Sequence, residues 1–256
     1  MKEKGFGERK EGQPVKGMIP FVLGAFMMAG PVSAMGEVRF FDHFHRDAIR
    51  SGSSYVEGYL GYTEYDHPDV SSIHVGARGG IPLVPRFELG LGGGFVDMDY
   101  DGGGGASGLT DLDIVGKYHL GTRGSNRITV GGSLTLPVGD EEIGEGNADL
   151  GFFGAIRRPL DGSTVLMGSA GLNFEERGGA DRESSLHLGG GLVHRVDGRL
   201  HLLGELGMDT EGDRMLFTAG VDYLTWSGGR LRGAVSLGID DGSPDFMLRG
   251  GYLTGF

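Results

Sequence analysis

The chain contains no cysteine. Secreted globular domains of this size often carry disulfides, so their absence favours a fold closed by its own backbone hydrogen bonds. Basic residues are also scarce: 23 lysines and arginines stand against 35 aspartates and glutamates, a formal net charge of -12. That balance excludes a nucleic-acid partner recruited through its phosphates. Beyond the N-terminal region, no stretch is continuously apolar for the roughly 20 residues that a membrane-spanning helix needs.

Glycine, by contrast, accounts for 53 of 256 residues, against a usual share of about 7%. It follows no triplet period, which excludes collagen, and it sits within apolar stretches, which argues against simple disorder. Mean hydropathy is close to neutral. A membrane barrel would show that average, because only alternate residues of each strand face lipid.

Lys10 and Lys16 precede an apolar run from Met18 to Met28, and Val32, Ser33 and Ala34 follow. This is the layout of a secretory signal over residues 1–34, with Met18 as an alternative start. The run is too short for a spanning anchor, and glycine and proline interrupt it.

From Ser53 the chain divides into segments of about ten residues that alternate apolar and polar, separated by turn residues. Leu200, Leu202, Leu206 and Met208 share one face, opposite His201, Leu203, Glu205 and Gly207. Centres fall near Tyr59, Val75, Leu91, Ile114, Gly132, Phe152, Gly168, Gly189, Gly204, Ala219, Val235 and Gly251. The pattern predicts an all-β fold, a closed antiparallel transmembrane β-barrel of about twelve strands in an up-and-down meander. A soluble sandwich fits less well: nearly every segment has an aliphatic face, and a packed core would not solvate the charge on the other.

The connections sort by charge. Those at 64–69, 97–107, 138–147, 175–183, 209–213 and 240–245 are acidic, as external loops. The intervening ones, the first of them at 80–85, are short and flanked by arginines, including Arg86, Arg123, Arg158, Arg195 and Arg199, as periplasmic turns. Residues 53–256 are thus read as the barrel and 35–52 as a periplasmic N-terminal lead-in. The predicted lumen carries Glu57, His74, Arg78, Glu88, Asp111, Asp113, Lys117, Asp149, Arg157, His187, His201, Glu205, Asp222, Arg232 and Arg249. Such a lumen is either a wet pore or an ion-pair network that locks a narrow barrel. Phe256 ends the chain, with Tyr252 and Leu248 on the same face; outer-membrane barrels often end in such a strand, which their assembly machinery reads.

Residues 109–118 read LTDLDIVGKY and residues 134–151 read LTLPVGDEEIGEGNADLG. This resembles the outer-membrane family named for the meta pathway of phenol degradation, whose members are described as transporters. Asp111, Leu112, Gly116, Lys117 and Tyr118 match its first element. Leu136, Pro137, Gly139 and Asp140 match its second, with Val138 in place of the usual Thr, and Gly144, Gly146, Asp149 and Leu150 match its third. Thr110 departs from the pattern, and the match covers about forty residues. The resemblance implies passage of small, including hydrophobic or aromatic, molecules across the outer membrane.

Other chemistry is sparse. Asp97, Asp99 and Asp101 open like a calcium loop, but Gly108 stands where the bidentate Glu belongs, so a solvated acidic turn is the better reading. Asp42, His43, His45 and Asp47 alternate like metal ligands. Phe40, Phe41 and Phe44 beside them favour an amphipathic lead-in able to plug the barrel in part. Ser185, His187 and Asp222 form no local hydrolase motif, and glycine-rich 90–94 lacks the helix of a phosphate loop. The sequence therefore predicts a passive channel rather than an enzyme, without a cofactor, or alternatively a non-conducting structural or surface-interaction barrel. Its expected partners are outer-membrane lipids, lipopolysaccharide, the barrel-assembly machinery and a small solute.

Overall fold

A computed structural model describes residues 37–66, 69–144, 146–175, 183–210 and 213–256. The predicted signal segment, 1–34, lies outside the described residues. Among them are thirteen strands and no α-helix. They are β1 (Tyr55–Asp66), β2 (Asp69–Val84), β3 (Phe87–Tyr100), β4 (Gly105–Leu109), β5 (Leu112–Arg123), β6 (Asn126–Leu136) and β7 (Asp149–Pro159). The remainder are β8 (Thr164–Glu175), β9 (Glu183–Arg195), β10 (Leu200–Asp209), β11 (Arg214–Leu224), β12 (Arg230–Gly238) and β13 (Phe246–Gly255).

All pairings are antiparallel between neighbours, and β1 pairs with β13 from Tyr55 opposite Gly255 to Glu64 opposite Phe246. The sheet is a closed barrel, which leaves only the outer edge of short β4 without a strand partner. Short β4 and longer β5 flank β3 in succession and occupy one position in the ring, so the barrel has twelve staves. Every predicted segment centre falls within a strand. The alternation explains why: on β10, Leu202 and Leu206 are 44% and 45% exposed on the outer face, while Glu205 between them is 2% exposed.

Two differences from the sequence reading have local causes. Most of the predicted 97–107 loop is strand, because Gly102, Gly103 and Gly104 all take positive φ and close a tight hairpin between β3 and β4. At the opposite end β2 continues through Pro82 to Val84. A register shift between Pro82 and Val84 absorbs the proline's missing donor.

The described part of the lead-in, from Glu37 on, runs inside the ring rather than below it. Its phenylalanines need apolar partners, and the inner wall supplies them. Val38, Phe40 and Phe41 pack on Met167, Val193, Leu203 and Ala234; Ala48 packs on Val115, Phe153 and Ala155; Phe44 packs on Tyr55 and Leu253. The core of the molecule is this plug against this wall.

Candidate functional site

The inner wall is built from strand positions of one parity, so its charged residues face a common space. Each residue predicted to line the lumen lies on that parity except Asp111, which sits in the connection between β4 and β5. On one side, Glu57 of β1 accepts Arg78 Nε of β2 at 2.7 Å and Arg232 Nη1 of β12 at 2.8 Å. Arg232 Nε reaches Asp222 Oδ2 of β11 at 3.1 Å, and Asp222 also pairs with Arg230. Two staves from Glu57, Glu88 of β3 takes Lys117 Nζ of β5 at 3.1 Å and the Tyr55 hydroxyl of β1 at 2.5 Å. These pairs cross-link the staves, and their members other than Arg78 leave water almost completely. Buried charge persists only when paired and hydrogen-bonded, so each partner depends on the other.

The same residues grip the plug. Arg78 Nη1 donates to the Phe41 carbonyl at 2.6 Å, Arg249 donates to that carbonyl and to Asp42 at 3.3 Å, and Arg232 donates to the Arg39 carbonyl. Arg157 pairs with Asp47 and donates to the Val38 carbonyl at 3.0 Å. Glu205 accepts the N–H groups of Phe41 and Asp42. Glycines on the wall receive the plug's rings: a Cβ at Gly220 would sit 2.5 Å from the Phe41 ring, and one at Gly90 2.6 Å from the His45 ring. Burial, reinforced by Lys117, Arg39 and Arg78, keeps the His45 imidazole neutral down to about 3.

Beyond the plug, toward the long acidic connections, opens a vestibule of about 620 Å³. Asp111, Asp113, Asp149, Glu175 and Asp209 line it together with Arg46, His74, Arg78 and Arg214, and Phe44 and Tyr59 add rings; Arg46 stands among Asp113, Glu175 and Asp209, and Arg214 is opposite Asp209. At the end where β1 begins and β13 finishes, a cavity of about 420 Å³ is lined by Arg50, residues 82–88 and His119. The two cavities share no lining residue.

The other predicted residues are placed as follows. His187 faces Asp209, Nδ1 to Oδ2 at 3.6 Å, and meets the His43 ring at 5.4 Å; His201 stands opposite Asp222 on the inner face. Ser185 is contacted by Asn173 Nδ2 at 3.5 Å, and His187 turns to Asp209 rather than to Ser185. Asp97 and Asp99 lie on the outer face of β3, opposite Ser107 and Gly105, and Asp101 lies in the turn. Among the described residues no group of three or more His, Asp or Glu is arranged to hold a metal ion. Phe256 and Leu248 are exposed on the outside, and Tyr252 lies on the outer face of β13 opposite outward Leu231. Sequence reasoning missed the apolar patches of the inner wall; Met167, Leu203 and Phe153, interrupting polar faces, were the available signal.

The resemblance motif has a structural explanation in the loop that follows β6. Gly139 N–H donates to Asp111 Oδ1 at 2.9 Å, and Leu109 N–H donates to Asp140 Oδ2 at 2.6 Å. The loop thereby covers the free edge of β4 and presents Ile143 and Gly144 to the vestibule.

No family model and no curated protein matches the chain. Solved structures do share its fold. An outer membrane channel from Pseudomonas putida F1 aligns with a TM-score of 0.68 and 16% identity over 86% of this chain and 100% of that one. The NanC porin aligns with a TM-score of 0.56 and 7% identity over 78% and 98%. The KdgM porin aligns with a TM-score of 0.54 and 10% identity over 79% and 99%. These neighbours are channels and porins rather than enzymes.

Proposed function

We propose that this protein is an outer-membrane barrel that passes small molecules passively and is closed by its own N-terminal segment. The observation that carries the reading is the contrast between the two faces of the wall. Outside, Leu60, Ile73, Leu172 and Leu237 are 57%, 51%, 48% and 49% exposed, part of an aliphatic belt around the barrel. Exposing each such side chain to water rather than hydrocarbon costs about 1.5–3 kcal/mol, so the belt calls for a lipid surround. Inside, charge faces a vestibule of solute size. The terminal Phe256 with Tyr252 and Leu248 suits recognition by the barrel-assembly machinery, and the acidic external loops suit contact with lipopolysaccharide through bridging cations.

The resemblance at Asp111–Tyr118 and Leu136–Asp140 supports small, hydrophobic or aromatic molecules as the solute class. The plug's many anchors favour a second reading, a non-conducting structural barrel. Single-channel recording in planar bilayers separates the two. Discrete openings are expected, made more frequent by substitutions that loosen the plug. Sustained silence of both the native chain and such variants would establish the structural reading instead.

A further inference from the structure

The cavity at the end where β1 begins and β13 finishes, about 420 Å³, carries basic groups that the barrel's own network does not use. Arg50 of the lead-in and Arg86 of the β2–β3 turn both line it, and both are exposed. Among the described residues neither guanidinium makes a hydrogen bond or an ion pair. The one carboxylate on the lining, Glu88, is already held by Lys117, Arg39 and the Tyr55 hydroxyl. It therefore leaves the charge of the two arginines uncancelled, and a cation finds no free carboxylate there.

A lone unpaired arginine on a surface is ordinary; a third group makes this a built site. His119 of β5 lines the same cavity and is only 6% exposed. Its Nδ1 meets Thr129 Oγ1 of β6 at 2.8 Å, and that hydroxyl, fully buried, has no other partner among the described residues. The Thr129 O–H therefore donates to Nδ1, which places the ring proton on Nε2. Nε2 points away from β6, toward the β3 side of β5 where the cavity lies, and no group among the described residues accepts its N–H. A buried N–H without an acceptor marks a position for one from outside the chain.

The three donors are held in place by the fold. The Arg86 carbonyl accepts the His119 main-chain N–H at 2.8 Å, which ties the turn to β5. Arg86 has a φ of 93°, a conformation that glycine takes freely and other residues rarely, so the turn alone does not explain an arginine there. Ser51, next to Arg50, is fixed by its N–H to Glu88 Oε2 at 3.4 Å and by accepting Arg39. Two guanidinium forks and an imidazole N–H offer more donors than the oxygens of one carboxylate can satisfy, and they suit a phosphate. We propose that this cavity binds a phosphate group, gripped by Arg50, Arg86 and His119 Nε2, at the end of the barrel away from the vestibule. Free phosphate and the headgroup of a phospholipid share this chemistry, and separate titrations distinguish them.

The test uses the full chain, purified in a non-ionic detergent without phosphate buffer. Calorimetric titration measures binding of inorganic phosphate and of acetate, and native mass spectrometry counts the phosphatidylglycerol that the protein retains. Arg86→Gly removes one guanidinium while suiting the positive φ, and Arg50→Gln removes the other from an exposed position outside the strands. Arg123→Gln, an exposed arginine at the end of β5 and off the cavity lining, is the control for lost charge. Heat-modifiable gel mobility verifies the folding of each. Phosphate should bind the native chain far better than acetate does. Its affinity should fall about tenfold or more in Arg86→Gly and Arg50→Gln, as loss of a charge-assisted hydrogen bond requires, and stay near native in the control. Phosphatidylglycerol retained by the native and control proteins and lost from the two variants, without uptake of inorganic phosphate, supports the same site with a lipid headgroup in it. Native affinity for both ligands in the folded variants overturns the proposal, as does equal weakening in the control. Acetate binding as tightly as phosphate overturns the choice of phosphate, and a native chain that takes up neither ligand overturns the site itself.

Discussion

Glu205 of β10 accepts the main-chain N–H of Phe41 at 2.6 Å and that of Asp42 at 2.9 Å, so one carboxylate of the wall holds two successive peptide groups of the plug. Glu205→Ala would strand both donors in a buried site, at a cost of about 1–3 kcal/mol each. Since about 1.4 kcal/mol is a factor of ten in a population, the open fraction in planar bilayers is expected to rise at least tenfold. Glu205→Gln keeps one acceptor and should fall between the two. An unchanged open fraction in Glu205→Ala would show that this carboxylate does not hold the plug.

Glycine on the inner wall makes a second, steric prediction. A side chain at Gly191 would overlap the Phe40 ring. Valine suits a strand, so Gly191→Val sets the plug against the wall without opposing the sheet, with an overpacking cost of about 1–3 kcal/mol. Trypsin should then cut at Arg39 and Arg46, both of which the native fold largely buries, while the thermal stability of the barrel stays near native. Equal protection of these sites in both proteins would contradict the socket role of Gly191.

The strands were legible because period-two alternation specifies a face residue by residue, and closure followed from an even set of segments. Glu57, Arg78, Asp222 and Arg232 were identified as inward-facing by the same rule, although the sequence does not say that they meet: that depends on register across β1, β2, β11 and β12. The plug was only partly legible. Phe40, Phe41 and Phe44 announce an apolar face, but Met167, Val193 and Leu203, on which Phe40 and Phe41 pack, lie more than a hundred residues away. What the glycine run of β3 does was not legible. A glycine run reads the same whether it eases curvature, accepts a ring or thins a wall, and only the surrounding atoms distinguish these.

The plug also predicts a pH dependence. Burial first, then the positive charges of Lys117, Arg39 and Arg78, lower the His45 pKa to about 3, with Glu88 pulling the other way. Once the plug is released, His45 returns to near 6.5. The docked state thus binds fewer protons between those values. Docking is at full strength above about pH 6.5 and weakens as the pH falls toward about 3, with a slope approaching 1.4 kcal/mol per pH unit. Burial and His187 shift His43 in the same direction. Openings should be more frequent at about pH 4.5 than at about pH 7.5, and His45→Gln should flatten the difference. A profile equally steep in that variant would assign the effect to other groups.

The loop after β6 supplies the last prediction, because its anchoring is reciprocal. Asp140 holds the Leu109 amide of β4, Asp111 holds the Gly139 amide of the loop, and a Cβ at Gly139 would press to 2.6 Å on the Leu109 carbonyl. Neither carboxylate is needed for barrel closure, since β4 is an outlying piece paired only with β3. Asp140→Ala should therefore cost about 1–2 kcal/mol locally and little globally. Hydrogen exchange at Leu109 and through residues 139–144 should accelerate about tenfold, while the amides of β8 to β12 keep native protection. Because Ile143 and Gly144 face the vestibule, the variant's openings should also become noisier. Native exchange at Leu109 would mean that the hairpin stands without Asp140, and the motif would then need a different physical account.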